Sequence, residues 1–211
     1  DVTLLGPLPT PGVSYLANSN NQVGLVISAS HNLFEDNGIK FFNKNGQKFS
    51  EELEKRIEVK LTEEMVPVDS INLGKATRMS DAQERYIEFC KLPFTDLDLS
   101  DLNILLDCAN GATYSVAPKV FTELGANIET VAANPDGINI NQNCGSTNPD
   151  FLKDQMSKGN YDMGIAFDGD GDRNMIISSE GTILDGDDIL FILSQKLLPN
   201  SGVVGLSLIH I

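Results

Sequence analysis

The chain has 211 residues, of which 41% are hydrophobic and 21% charged, a composition typical of one large globular domain or two small ones. Its formal net charge of −15 argues against nucleic acid or an anionic membrane surface as the main partner. No run approaches the roughly 18 consecutive apolar residues that a membrane span requires, so a membrane-embedded protein is also excluded.

The first part of the chain predicts a small unit of alternating helix and strand. Three prolines precede a short helix, and an Asn45-Gly46 hairpin turn leads from the apolar run over 39–43 to residues 47–49. Ser50 is a suitable N-cap for an amphipathic helix in which Leu53, Ile57 and Leu61 repeat every four residues. In chain order we predict a helix near 13–17, strands over 23–28 and 39–43, a strand over 47–49, and the helix that begins after Ser50.

The second part predicts a largely parallel sheet. Residues 65–80 show weak periodicity, which indicates a domain boundary. Strands and helices then alternate, and this order is typical of βαβ units in an α/β fold with mixed and parallel sheets flanked by helices. We predict helices over 81–92 (opened by an Asp81–Glu84 capping box), 112–124, 149–158 and 188–198 (capped by Asp185 or Asp187 and ended by Pro199), and strands over 102–107, 127–133, 162–168, 174–179 and 181–185.

The cysteines indicate a reducing compartment. Cys90, Cys108 and Cys144 are odd in number, widely spaced and form no CxxC pair. We therefore expect a cytoplasmic protein with reduced thiols. The first residue is Asp1, and we expect that the natural start lies upstream of it.

An acidic loop, FDGDGDR, follows the predicted strand that ends at Phe167. Asp168, Asp170 and Asp172 alternate with glycines that allow the backbone to fold tightly, and a divalent cation would relieve the repulsion among the three carboxylates. Hard oxygen ligands favour Mg²⁺. An EF-hand is excluded, because it needs glycine at loop position 6 and glutamate at position 12, where this chain has arginine and serine.

The residues of the acidic loop leave two further interpretations open. A phosphatase that uses Asp168 as its nucleophile would carry the same DxD pattern after a strand. A solvated acidic turn is the structural alternative, and the interleaved glycines disfavour it. Arg173 could either offset the charge of the aspartates or hold a phosphate with its planar guanidinium group.

A second polar segment, LVISASHNLFEDNGIKFF, spans residues 25–42. Ser30 is a candidate nucleophile at the end of a buried strand, and His31 and Lys40 are the nearby groups that could activate it. Each residue alone is also compatible with an ordinary loop or strand-edge position. Their occurrence together, in a chain that also carries DGDGDR, favours a functional site.

The two segments together resemble the α-D-phosphohexomutase family. SASHN followed by NGIK is similar to that family's phosphoserine loop, and DGDGDR to its metal-binding loop. The resemblance extends over almost the whole chain, to about Gly205. It implies that Ser30 carries the phosphoryl group and that Mg²⁺ is held by the phosphate on Ser30 with Asp168, Asp170 and Asp172.

The resemblance also implies the remaining roles. His31 and Lys40 would be the acid and base, and Arg173 would help to hold phosphate. The family transfers a phosphoryl group from the enzyme serine to a sugar phosphate and takes the other one back, through a hexose bisphosphate that reorients between the two transfers.

The substrate implied by the resemblance is a hexosamine phosphate. The segments SASHNLFEDNGIKFF, DCANGATY, PDGININ and CGSTNP look most like the branch of the family that interconverts glucosamine 6-phosphate and glucosamine 1-phosphate for cell-wall precursors. Mannose or glucose phosphates are the alternative substrates, and a non-catalytic metal-binding fragment is the alternative class of function.

The family's domain order predicts three segments. Residues 1–75 would be the C-terminal part of domain I, 81–183 would be domain II, and 184–211 would begin a truncated domain III. Such a fragment should bind metal better than it catalyses. Two features depart from the family: Leu33 stands where proline is usual, and the terminal LSLIHI has no counterpart.

Overall fold

The computed structural model describes residues 1–197 and has a mixed α/β architecture. Single 3₁₀ turns lie at Phe34–Asp36, Ser70–Asn72 and Leu92–Phe94. The strands are β1 Val2–Leu4, β2 Gly24–Ser28, β3 Gly38–Phe42, β4 Ala76–Arg78, β5 Asn103–Asp107, β6 Asn127–Val131, β7 Met163–Phe167, β8 Asn174–Ser178 and β9 Ile183–Leu184. The helices are α1 Thr10–Ser19, α2 Glu51–Leu61, α3 Ala82–Lys91, α4 Ala117–Glu123, α5 Pro149–Met156 and α6 Gly186–Leu197.

A five-stranded sheet in the order β6-β5-β7-β8-β9 organises the second half of the chain. β6, β5 and β7 are parallel, and β8 and β9 extend the sheet in antiparallel fashion. Helices α4 and α5 provide the crossovers between the parallel strands. β5 lies between the parallel strands β6 and β7, and its residues 104–107 are buried, three of them apolar. The predicted βαβ order and parallel sheet are thus confirmed, with an antiparallel hairpin at one edge.

The first half contains two pairs of strands. β2 and β3 pair in antiparallel fashion, and α1 packs against β2. The predicted strand over 47–49 is wrong: after the Asn45-Gly46 turn only a single bridge joins Phe42 to Lys48. β1 and β4 form a parallel pair that the sequence did not predict. Both strands have three residues, all exposed, and are therefore shorter than the four to eight residues over which alternation identifies a strand.

The core of the first half extends across the weakly periodic segment 65–80. Leu8, Leu16 and Phe42 pack in the same cluster as Ile87 of α3 and Val116. α3 lies against both α1 and α4, so it joins the two halves. The domain boundaries drawn from the sequence stay a prediction.

Three details of the helices differ from the predictions. α1 begins at Thr10, earlier than predicted, and α4 begins at Ala117 rather than at Ala112. The amide of Ala112 instead donates to Gly169 O at 2.7 Å, which draws this segment away from the helix and towards the acidic loop. Asp81 forms no side-chain cap on α3, so the predicted capping box is wrong.

The end of the described chain agrees with the sequence where it can be compared. Asp185 accepts hydrogen bonds from the amides of Asp187 and Asp188 and so caps α6 as predicted. The predicted helix end at Leu198, Pro199 and the LSLIHI segment lie outside the described residues. Over residues 1–197, no helix combines the length and the apolar character that crossing a membrane requires.

Candidate functional site

Ser30 lies just beyond β2 in a left-handed backbone conformation. Its φ is +53°, and its amide donates to Ser28 Oγ at 2.9 Å. A non-glycine residue with positive φ is uncommon and is characteristic of sites where the surrounding structure holds the backbone in place. The Ser30 hydroxyl is 3.4 Å from Asp168 Oδ2, although the two residues are 138 positions apart in the chain.

The serine loop and the acidic loop are joined through their backbones. Ser30 O accepts hydrogen bonds from Gly169 N at 3.0 Å and from Asn141 Nδ2 at 2.8 Å. Asn141 Nδ2 also donates to Asn32 O at 2.7 Å. A Cβ atom at position 169 would lie 2.6 Å from Ser30 O, so this approach of two backbones requires glycine at that position.

The acidic loop begins at the carboxyl end of β7, where open parallel sheets bind their ligands. Asp168 is fully buried, and its Oδ1 accepts the amides of Asp172 and Arg173 at 3.1 and 3.0 Å. Burial raises the pKa of Asp168 to about 6, and the charges of Asp170 and Asp172 act in the same direction. A cation at this position would relieve both effects.

Two donors contact the same oxygen of Asp170, which is also buried. The Lys40 ammonium group lies 2.6 Å from Asp170 Oδ2 and 2.7 Å from Asp172 Oδ2, and the Thr10 hydroxyl donates to Asp170 Oδ2. Burial alone would raise the pKa of Asp170, but the bonds from Lys40 and Thr10 hold it below its ordinary value. Burial lowers the pKa of Lys40, yet its bonds to the two aspartates outweigh this and raise it. Lys40 is therefore a protonated ammonium group that contacts the carboxylates of Asp170 and Asp172.

The three aspartates fit a metal ion. Each offers a carboxylate oxygen, and these oxygens lie within 4.8 Å of one another. Asp170 Oδ1 is buried and has no hydrogen-bond partner, so it is an oxygen available for a ligand. A buried acceptor of this kind is costly unless something binds it. The donor set consists of hard oxygens, which Mg²⁺ prefers.

Arg173 and His31 lie together at the exposed side of the site. Arg173 Nη2 is 2.6 Å from His31 Nδ1, so Nδ1 accepts and the ring proton of a neutral imidazole lies on Nε2. Arg173 Nε is 3.8 Å from both Asp168 Oδ2 and Asp172 Oδ1, and about half of its side chain is exposed. Arg173 is thus placed to offset carboxylate charge and still has donors that face solvent.

The loops that follow β5 and β6 form backbone hydrogen bonds with the acidic loop. Ala112 N donates to Gly169 O and Ser146 N donates to Phe167 O. Asp107, at the end of β5, is fully buried and accepts the amides of Ala109 and Gly145 at 2.9 and 2.6 Å. Burial raises the pKa of Asp107 to about 6. The segments DCANGATY, PDGININ and CGSTNP therefore meet around one site.

The structure brings together every site residue that the sequence singled out: Ser30, His31, Lys40, Asp168, Asp170, Asp172 and Arg173. Their chemical roles stay predictions. Leu33, which replaces the family's usual proline, has a φ of −73°, a value that a proline ring would also impose. The backbone of the loop therefore has a proline-like conformation at this position.

Sequence reasoning missed three residues of the site: Thr10, Asn141 and Asp107. Thr10 lies between two prolines at a helix start, and Asn141 lies in a long loop, where polar residues are ordinary. Asp107 offered a usable signal, because an aspartate that ends an apolar strand at a parallel-sheet edge is placed near the ligand-binding crevice.

Comparisons with known proteins place these features in a family. Two domain models match the chain: "Phosphoglucomutase/phosphomannomutase, alpha/beta/alpha domain I" over residues 1–66 and "alpha/beta/alpha domain II" over residues 84–181. A phosphoglucosamine mutase of Legionella pneumophila (strain Corby) is 51% identical over 97% of the chain and 46% of its own length. One of Pseudoalteromonas translucida (strain TAC 125) is 52% identical over 97% of the chain and 47% of its own length.

Solved structures agree with the fold. A phosphoglucomutase/phosphomannomutase family protein from Burkholderia thailandensis aligns with a TM-score of 0.72 and 25% identity over 94% of the chain and 44% of its own. The chain spans about half the length of the curated relatives it matches.

Proposed function

The chain belongs to the phosphoglucomutase/phosphomannomutase family, and we propose that it is part of a phosphoglucosamine mutase. The complete protein would interconvert glucosamine 6-phosphate and glucosamine 1-phosphate through a phosphoseryl enzyme and a bisphosphate intermediate. The choice of sugar rests on the two curated relatives at 51% and 52% identity, which carry that name. The chain by itself would bind metal without turning over substrate, because about half of those relatives' length lies beyond the match.

One observation carries the proposal. The Ser30 hydroxyl lies 3.4 Å from Asp168 within a group of three converging carboxylates. A phosphoryl group on Ser30 would bring further negative charge against these carboxylates, and the arrangement is tenable only with a cation between them. When bound, Mg²⁺ would neutralise charge on the phosphoryl group and on the carboxylates.

The site residues would then have separate roles in phosphoryl transfer. Asp168, Asp170 and Asp172, with the phosphate on Ser30, would hold the metal. In the first half-reaction the bond between phosphorus and Ser30 Oγ breaks as a sugar hydroxyl oxygen bonds to phosphorus. The hydroxyl proton passes to a base, and an acid donates a proton to the departing Ser30 Oγ. The second half-reaction reverses these steps at the other position of the sugar and restores the phosphoserine.

His31 and Lys40 are the proposed acid–base pair. The neutral tautomer that Arg173 favours leaves a proton on His31 Nε2. Lys40, held as an ammonium by Asp170 and Asp172, supplies positive charge beside the transferred group and would donate a proton, as the acid, to the oxygen that leaves phosphorus. Arg173 keeps exposed donors that suit a phosphate of the substrate.

The phosphoenzyme separates this proposal from a phosphatase that uses Asp168. A serine mechanism predicts that Ser30→Ala abolishes the covalent phosphoenzyme. An aspartyl-phosphate mechanism predicts that Asp168→Asn abolishes it and that Ser30→Ala leaves it intact. Incubating each variant of the complete protein with hexosamine bisphosphate and Mg²⁺, followed by phosphopeptide mapping, distinguishes the two mechanisms.

Substrate assays test the choice of sugar. The complete protein should convert glucosamine 6-phosphate with a higher kcat/KM than mannose 6-phosphate or glucose 6-phosphate. Equal kcat/KM values for all three would contradict the amino-sugar assignment and leave the family's general reaction in place.

A further inference from the structure

Thr10, the first residue of α1, contacts the acidic loop from the other half of the chain. It is 160 positions from Asp170 and is 5% exposed. Its hydroxyl donates to Asp170 Oδ2, and its backbone amide donates to Asp170 O at 2.8 Å. Both the side chain and the backbone of Asp170 are therefore tied to the start of one helix.

An ordinary role in helix capping does not account for this contact. Threonine near a helix start commonly turns its hydroxyl towards the first free amides of its own helix. In α1 the N-cap position is Pro9, and no side chain caps the helix. The Thr10 hydroxyl is instead used on Asp170. Pro9 and Pro11 on either side restrict the backbone from which this side chain projects.

The contact distinguishes the two oxygens of Asp170. Oδ2 receives both the Thr10 hydroxyl and the Lys40 ammonium group, the latter at 2.6 Å. Oδ1 is buried and has no hydrogen-bond partner. Because Oδ2 is occupied by two donors, rotation of the carboxylate would break both bonds, and Oδ1 is the oxygen of Asp170 left without a donor.

We propose that Thr10 is a positioning residue for the metal: it holds Asp170 Oδ2 so that Oδ1 ligates the cation. This inference rests on the metal site in the proposed function and adds to it a residue from the first half of the chain. A hydrogen-bond donor behind a ligating carboxylate fixes its orientation, and loss of such a donor typically weakens metal affinity about 10- to 100-fold. Thr10 would also make metal affinity depend on how α1 is seated against the acidic loop.

Isothermal titration of the complete protein with MgCl₂ tests the proposal. Thr10→Val keeps the shape of the side chain and removes the hydroxyl, whereas Thr10→Ser keeps the hydroxyl. We expect Thr10→Val to raise the Kd for Mg²⁺ by about 10-fold or more and Thr10→Ser to stay near the wild-type value. Thr10→Ala, which also lacks the hydroxyl, should follow Thr10→Val and replaces it if the valine variant does not fold.

The outcomes separate this inference from the metal site itself. A purely structural role for Thr10 would lower the melting temperature of Thr10→Val in the absence of Mg²⁺ and leave the Kd unchanged, and that result would overturn the inference alone. Asp170→Asn is the control for the site. If the wild-type protein bound no Mg²⁺, or if Asp170→Asn bound it as tightly as the wild type, the proposed metal site and the role of Thr10 would both be overturned.

Discussion

Replacing Asp107 with asparagine should change how the stability of the protein depends on pH. Asp107 ends strand β5, is fully buried, and accepts backbone amides from Ala109 and Gly145. Burial disfavours the charged carboxylate more than these two hydrogen bonds favour it, so the pKa of Asp107 is raised from 3.8 to about 6. Asparagine has no ionisable group and removes this dependence.

The size and sign of the effect follow from proton linkage. Between pH 3.8 and about 6 the folded state binds the Asp107 proton more tightly than the unfolded state does, so the free energy of unfolding falls as the pH rises through this window. Moving the pKa by this amount corresponds to about 3 kcal/mol. The contribution is present below the unfolded pKa, is lost as the pH rises through about 6, and is constant above about pH 7.

Urea unfolding of the wild type and Asp107→Asn at pH 4, 5, 6 and 7 measures this contribution. The wild-type free energy of unfolding minus that of the variant should fall by about 2 kcal/mol between pH 4 and pH 6 and by a few tenths of a kcal/mol more by pH 7. Asp98→Asn is the matched control, because Asp98 accepts the amide two residues ahead, as Asp107 does, but is exposed. A difference that stays constant across the series would refute the assignment of a raised pKa to Asp107.

Two further variants test the contact between the loops. Gly169→Ala would place a Cβ 2.6 Å from Ser30 O. It should lower the free energy of unfolding by about 1–3 kcal/mol and weaken Mg²⁺ binding. Gly186→Ala, at a position with open space around it, is the control and should leave the thermal melt and the Mg²⁺ titration unchanged. Asn141→Asp removes two donors to the serine loop and should slow phosphorylation of Ser30 by hexosamine bisphosphate by about 10-fold or more, while Asn143→Asp, at a similar φ, should not. Equal phosphorylation rates for the two aspartate variants would contradict a positioning role for Asn141.

The sequence predicted the parts of the fold that are determined by interactions between residues close together in the chain. β5 and β7 are recognisable because buried parallel strands are apolar nearly throughout, and Ser50 marks the start of α2 because its hydroxyl caps the helix. The predicted start of α4 at Ala112 was wrong because a tertiary hydrogen bond from Ala112 to Gly169 overrides the local preference for helix. β1 and β4 were missed because a strand of three exposed residues is too short to show a periodic pattern of apolar residues.

The residue types of the site were predictable from the sequence, but the distances between them in the folded chain were not. Alternating aspartates and glycines indicate a cation, and Ser-His-Asn at a strand end indicates chemistry, yet nothing local states that Ser30 and Asp168 are 3.4 Å apart. The resemblance to a family linked the two loops before the structure did. Thr10 and Asn141 each act through two long-range hydrogen bonds, which leave no trace in composition or periodicity.

Intact-mass measurement with phosphosite mapping on the complete protein, with Ser30→Ala beside it, is the most direct test of a phosphoseryl mutase. We expect the mass of one phosphoryl group on the wild type, localised to Ser30 and absent from the variant. Absence of phosphate from Ser30 after incubation with hexosamine bisphosphate and Mg²⁺ would contradict the proposed mechanism, and phosphate on Asp168 in its place would establish the aspartyl phosphatase.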